Sequence, residues 1–155
     1  MDVFGLIKRC PPLDVNSSYC NFLQSGHFAQ TSVIAEIDDE TVGFISAYIK
    51  PDQPNTLFIW QVAVDERARG LGLASRMLMH ILERPHCQAV SHLETTITED
   101  NTGSWALFRR LANTLSTSLN SSLFLDKQEH FKGEHESESL VCIGPFNLKN
   151  SKGKS

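Results

Sequence analysis

Arg67, Gly70 and Gly72 follow an apolar run and precede an amphipathic one, in the order Arg-x-x-Gly-x-Gly. A helix that starts after such a turn presents free backbone N–H groups and a partial positive charge. Glycines let that backbone come close to an anion. Arg67 and Arg69 add full charges. The chemistry this combination offers is the binding of a phosphate or pyrophosphate, against the plainer reading of a strand–turn–helix whose glycines serve the turn alone. No Lys-Ser/Thr follows Gly72, so the nucleotide P-loop is excluded. No third glycine follows either, which excludes the dinucleotide fingerprint. A carboxylate, Glu94, stands in an otherwise apolar and Thr-rich stretch, where desolvation would strengthen it as a base.

These residues need elements to hold them. Leu57 to Val64 is almost wholly apolar and reads as a strand buried on both faces. An amphipathic helix follows over about Gly72 to Arg84, with Leu73, Met77, Leu78, Ile81 and Leu82 on one face and Pro85 as its stop. Val90 to Thr98 is the next strand, in which Thr96 shares the face of Glu94. Asn101 opens a second helix, with Ala106, Leu107, Phe108 and Leu111 on its apolar side. Upstream, Asn16 to Phe28 reads as short helical turns, and Val33–Ile37 and Val42–Ile49 as strands around the turn Asp38-Asp39-Glu40. Downstream, Asn113 to Ser122 reads as a polar loop, with late strands at Leu123–Leu125 and Leu140–Ile143. The order is that of an α/β (α+β) layer fold around a mixed sheet, as a single domain over 1–148 with a flexible tail over 149–155.

An apolar share of 41% in 155 residues is enough for one real core. Fourteen basic against 18 acidic residues, a net charge of -4, argue against a dedicated nucleic-acid binder. Cys10, Cys20, Cys87 and Cys142 are scattered without a Cys-x-x-Cys pair, so neither a zinc site nor a disulfide framework is expected. No secretory leader and no membrane-length apolar stretch is visible, and a cytoplasmic location without membrane association is the expectation.

With Val62-Ala63-Val64-Asp65 before it and Leu73-Ala74 after it, the glycine turn resembles the acetyl-CoA pyrophosphate loop of the GNAT superfamily of N-acetyltransferases. Asn101 to Phe108 resembles that superfamily's second cofactor helix. Five stretches are closer still: Pro12–Tyr19, His27-Phe28, Thr56–Val64, Leu93–Thr98 and Asn101–Phe108. Together, over about Leu6 to Pro145, they resemble the L-2,4-diaminobutyrate acetyltransferases of ectoine synthesis. The resemblance implies the GNAT fold and transfer of acetyl from acetyl-CoA to the γ-amine of diaminobutyrate, without a metal, in a homodimer. It implies cofactor contacts along Val62, Ala63, Val64, Arg67, Arg69, Gly70, Leu71, Gly72, Leu73 and Ala74, with Val62 and Val64 offering backbone groups to pantetheine. Asn101 would bind the pantetheine region, or serve as an N-cap alone.

An alkylammonium has a pKa of about 10.4, and removing its proton at neutral pH costs about 4–5 kcal/mol. Glu94 is therefore read as the base that offsets this cost or as an anchor for a substrate ammonium, against the plainer reading of a purely structural carboxylate. Asp14 would pair with an ammonium and Tyr19 would hydrogen-bond, unless Asp14 only caps a helix. Trp60 either walls the substrate cleft or packs in the core, and Thr96 shares the site of Glu94. His27, His130 and His135 rank below these.

The chain departs from the family in three places. The family's first strand precedes the helical region in which this chain starts, so the expected fold lacks that strand. Ser139 and Val141 stand where larger residues are expected. The superfamily's thiolate-protonating Tyr is Phe108, which excludes a general acid from that position. Two rivals stay open: acetylation of another small diamine or amino acid, and a non-catalytic acyl-CoA-binding module.

Overall fold

The computed structural model describes Leu6, residues 31–125 and residues 138–148. Asp14, Tyr19, His27, His130, His135, the turns expected over 16–28 and the tail from 149 lie outside the described residues.

Strands β1 (Val33–Ile37) and β2 (Glu40–Lys50) form an antiparallel hairpin in which Ile37 faces Glu40. The loop is thus only Asp38-Asp39, with φ of 50° and 66°. Two left-handed residues make the primed turn that matches strand twist, and Asp tolerates that region better than most residues. Strand β3 runs from Gln53 to Val64, starting four residues before the expected Leu57. Pro54 is accommodated because it lies at the strand's beginning. The burial expected on both faces of β3 is found on one: Leu57, Ile59, Gln61 and Ala63 are buried, while Trp60 is 48% exposed. An apolar sequence records the absence of polar residues, not the presence of a cover on each face.

Helix α1 (Leu73–Leu82) buries Met77, Leu78, Ile81 and Leu82. It ends because Arg84 is extended ahead of Pro85, the conformation proline imposes on its predecessor. Strand β4 (His92–Thr98) alternates, with Leu93, Thr95 and Ile97 buried and Glu94 and Thr96 sharing the other face. Helix α2 (Thr102–Thr114) buries Leu107, Phe108, Leu111 and Ala112, while Ala106, expected on its apolar side, is exposed. The loop expected over 113–122 is replaced by the end of α2 and by strand β5 (Leu119–Leu125). Strand β6 (Glu138–Ile143) closes the series. Pairing joins the six strands of this mixed sheet in the order β1-β2-β3-β4-β6-β5.

The described residues fall into two compact units, and β3 runs through both. The first contains β1, most of β2, the second half of β3 and α1. Leu6, Phe44 and Ala63 form a core cluster there, with Ile34 packed against it. The Arg84 guanidinium donates to the Ser32 carbonyl at 2.7 Å. The second unit contains Lys50, the first half of β3, β4, α2, β5 and β6. In it β6 is antiparallel to both neighbours, so that Glu94 stands opposite Cys142 and Thr96 opposite Leu140.

Candidate active site

In the first unit the turn after β3 is built on Asp65. Its N–H donates to the Val42 carbonyl at 2.7 Å and its carboxylate accepts from the Arg67 N–H at 3.1 Å. The 3₁₀ turn Glu66–Ala68 is thereby capped, and Ala68 is wholly buried beneath it. Arg67 is held by two carboxylates, Asp65 through Nε at 3.2 Å and Glu40 through Nη1 at 2.6 Å. Arg69 Nε donates to the Val64 carbonyl at 3.1 Å, the backbone acceptor expected for pantetheine. Gly70 and Gly72 have φ of 81° and 72°, and a Cβ on either would meet nothing within 4 Å. The backbone there is left-handed and faces open space, as close approach of a ligand requires. Helix α1 starts at Gly72 without a side-chain cap, which leaves its first-turn N–H groups for an anion or water. Leu71, between the glycines, is 61% exposed.

In the second unit Glu94 is the centre of a cluster. Lys50 Nζ donates to Oε1 at 2.8 Å, and the Cys142 thiol donates to Oε2 at 3.5 Å. The Lys50 ammonium is held above its usual range, first by this hydrogen bond, with the charges of Glu94 and Asp52 adding to it. Burial pushes the Cys142 thiol up, and the Glu94 charge and hydrogen bond push it further, so it stays a thiol at neutral pH. Asn101 caps α2, its side-chain oxygen accepting from the Ser104 N–H at 3.1 Å. The cap uses the oxygen and not the amide NH2. Trp105 Nε1 donates to the Thr98 carbonyl at 3.1 Å, and Arg109 lies 5.4 Å from its ring centroid. Phe108 is buried at 2% exposure, which makes this position part of the core.

The predicted residues thus form two groups, Trp60 to Ala74 in the first unit and Glu94, Thr96 and Asn101 in the second. Trp60 is not a core residue at its exposure. Lys50 and Cys142 join Glu94 in this candidate cluster, and the sequence pointed to neither. Neither carries a local signal, since only strand order and register bring them to Glu94. The first unit also has a separate cavity of about 470 Å3 against β1 and α1, which includes only Leu73 of the predicted residues. Among the described residues no group of three or more His, Cys, Asp or Glu is placed to hold a metal ion, and no helix is long and apolar enough to cross a membrane.

A family model described as the acetyltransferase (GNAT) family matches residues 3–112. The L-2,4-diaminobutyric acid acetyltransferase of Methylotuvimicrobium alcaliphilum is 57% identical over 144 residues, which is 93% of this chain and 84% of that protein. Its namesake from Vibrio parahaemolyticus serotype O3:K6 is 55% identical over 141 residues, covering 91% of this chain and 78% of its own length. Among solved structures, the diaminobutyrate acetyltransferase EctA from Paenibacillus lautus, in complex with its substrate L-2,4-diaminobutyric acid and coenzyme A, superposes with a TM-score of 0.89 at 39% identity. That match covers 93% of this chain and 87% of the EctA chain.

Proposed function

This chain belongs to the GNAT acetyltransferase family and, within it, to the L-2,4-diaminobutyric acid acetyltransferases, and from that premise we infer that it transfers the acetyl group of acetyl-CoA to the γ-amine of L-2,4-diaminobutyrate. The product, N4-acetyl-L-2,4-diaminobutyrate, leads to ectoine, a compatible solute. The observation that carries the reading is the turn at 67–74, an uncapped helix start behind two left-handed glycines with open space above them. That geometry suits a diphosphate, whose oxygens accept from the backbone N–H groups of Leu73 and Ala74. Arg69 adds positive charge to the same turn, where Arg67 must share its own with Asp65 and Glu40, and Val62, Ala63 and Val64 run alongside the pantetheine arm.

Acetyl-CoA supplies the acetyl group as an activated thioester. The neutral amine attacks its carbonyl carbon, the new C–N bond forms, the C–S bond breaks, and the amine proton and the thiolate leave separately. A backbone N–H of β3 polarises the carbonyl in the manner of an oxyanion site. Cys142 is not an acyl carrier on this reading, because it is a thiol held beside a carboxylate. Transfer is therefore direct. Phe108 supplies no proton, and the CoA sulfur takes its proton from water or another residue. Glu94 and Thr96 line the amine side, with Trp60 as an apolar wall, Asp14 and Tyr19 completing the substrate contacts, and Asn101 lending its amide NH2 to pantetheine. The active form is a homodimer in the cytoplasm, which sedimentation and cell fractionation test.

The experiment for the reaction is a thiol-release assay with acetyl-CoA and a panel of amines, with mass analysis of the product. Diaminobutyrate should give the highest kcat/KM and a singly acetylated product. Faster turnover of another diamine would reassign the substrate. Coenzyme binding without thiol release on any amine would leave only a binding module.

A further inference from the structure

The reaction as described makes no use of Lys50. Yet its ammonium is 2.8 Å from Glu94 Oε1, and both side chains are mostly shielded, at 26% and 15% exposure. The pair is not a chance surface contact of neighbours. Strand β3 lies between β2 and β4, so the two side chains reach towards each other over two strand spacings of about 4.8 Å each. The second oxygen of Glu94 accepts from the thiol directly opposite on β6. Both oxygens are thus occupied, one by a full positive charge.

An ammonium in contact with a carboxylate favours the charged form of both. A proton carrier must change form in every cycle, and a permanent cation on one oxygen opposes that change. An anchor for an ammonium needs the opposite, a carboxylate charged at every working pH. A diamino acid offers such a partner, because it has a second ammonium that is not acetylated and keeps its charge. We propose that Lys50 is a positioning residue that holds the Glu94 carboxylate in place as an anchor for the non-reacting ammonium of the substrate. Glu94 then carries no proton in the reaction. The attacking amine loses its proton to solvent water before the C–N bond forms.

The inference rests on the reading of Glu94 as a substrate residue. Among the described residues, the groups facing Glu94 are Lys50 from β2 and Cys142 from β6, with Asp52 acting on Lys50. The raised ammonium of Lys50 keeps it charged through the pH range of the assay.

The test compares diaminobutyrate with 4-aminobutyrate, which has the same reacting amine and lacks the second ammonium. The ratio of their kcat/KM values cancels any protonation of the reacting amine, since both substrates share it. In the wild-type enzyme the ratio should favour diaminobutyrate by about tenfold or more, the worth of one charged hydrogen bond. Glu94→Gln should bring the ratio close to one, mainly through KM for diaminobutyrate. Lys50→Gln should lose most of the ratio, mainly through KM for diaminobutyrate, because the carboxylate is no longer held in place by the ammonium. Lys50→Arg, which keeps the charge, should retain most of the wild-type ratio. A variant that fails to fold is recognised by lost coenzyme binding, and Lys50→Met, which keeps the length of the side chain without its charge, then takes the place of Lys50→Gln with the same expected loss.

A Glu94→Gln enzyme with kcat lowered equally on both amines and KM unchanged would make Glu94 the proton carrier and overturn the proposal. So would a Lys50→Gln enzyme that folds and keeps the wild-type ratio. Wild-type parameters in Glu94→Gln on both amines would instead overturn the placement of Glu94 in the site, a failure of the functional reading itself.

Discussion

Glu94 and Cys142 are direct cross-strand partners of β4 and β6, and the thiol of one donates to the carboxylate of the other at 3.5 Å. Burial is the larger cause of the raised thiol, the Glu94 charge and hydrogen bond come next, and Lys50 works in the opposite direction. Neutralising the carboxylate in Glu94→Gln should therefore give more thiolate at a given pH and faster alkylation of Cys142 by iodoacetamide. Lys50→Gln should slow it. Peptide mass analysis over time checks both signs, and rates that move together would mean that the two charges do not act on the sulfur separately.

Asn101 has two roles that a pair of substitutions separates. Its side-chain oxygen caps α2, so Asn101→Ala should cost about 1 kcal/mol. For a chain of this size that lowers Tm by about 2–4 °C. Asn101→Asp keeps the capping oxygen and the Tm, but loses the NH2 donor. If the amide holds pantetheine, KM for acetyl-CoA rises in both variants. Unchanged KM in Asn101→Asp would leave the cap as its whole function.

Gly72→Ala probes the cofactor turn with little steric confusion, because nothing lies within 4 Å of the added carbon. The φ of 72° alone should cost about 1 kcal/mol of stability. Coenzyme A binding, measured by calorimetry, should weaken by about tenfold or more as the methyl group enters the space a phosphate needs. A wild-type Kd would place the diphosphate elsewhere.

Stability should fall on the alkaline side. The Cys87 and Cys142 thiols are both raised above the ordinary 9.0, chiefly by burial, and Lys50 is raised by Glu94. A raised group binds its proton more tightly when folded, so its contribution is complete below the unfolded pKa and is lost as pH climbs through the folded one. Tm should hold through neutral pH and decline above about pH 8.5, where unfolded thiols begin to ionise. Cys87→Ala should flatten the decline. A Tm that rose between those limits would reverse the sign argued here.

What the amino-acid order revealed was local. Arg67, Gly70 and Gly72 could be read because turn, charge and helix start lie within a few residues, and the structure has the left-handed glycines and the uncapped start. The two faces of β4 were legible from alternation, as was the hairpin at Asp38-Asp39. Strand β5 was not, since Asn120, Ser121 and Ser122 have loop composition. Their pairing with Cys142, Val141 and Leu140 makes them a strand, a tertiary effect that overrides propensity. Lys50 at Glu94 was hidden for the same reason, as it depends on which strands are neighbours. Trp60 was left between wall and core because an apolar run does not say which face lies open.

The chain has two tryptophans, and they differ in a way an optical experiment can use. Trp105 is fixed, its indole N–H on the Thr98 carbonyl and its ring against Arg109. Trp60 is 48% exposed, two residues before the Val62–Val64 stretch. Light emitted by Trp105 should hold nearly constant, so a blue shift or quench on adding coenzyme or amine reports on Trp60, and the protein carries its own dye for counting ligands without a label.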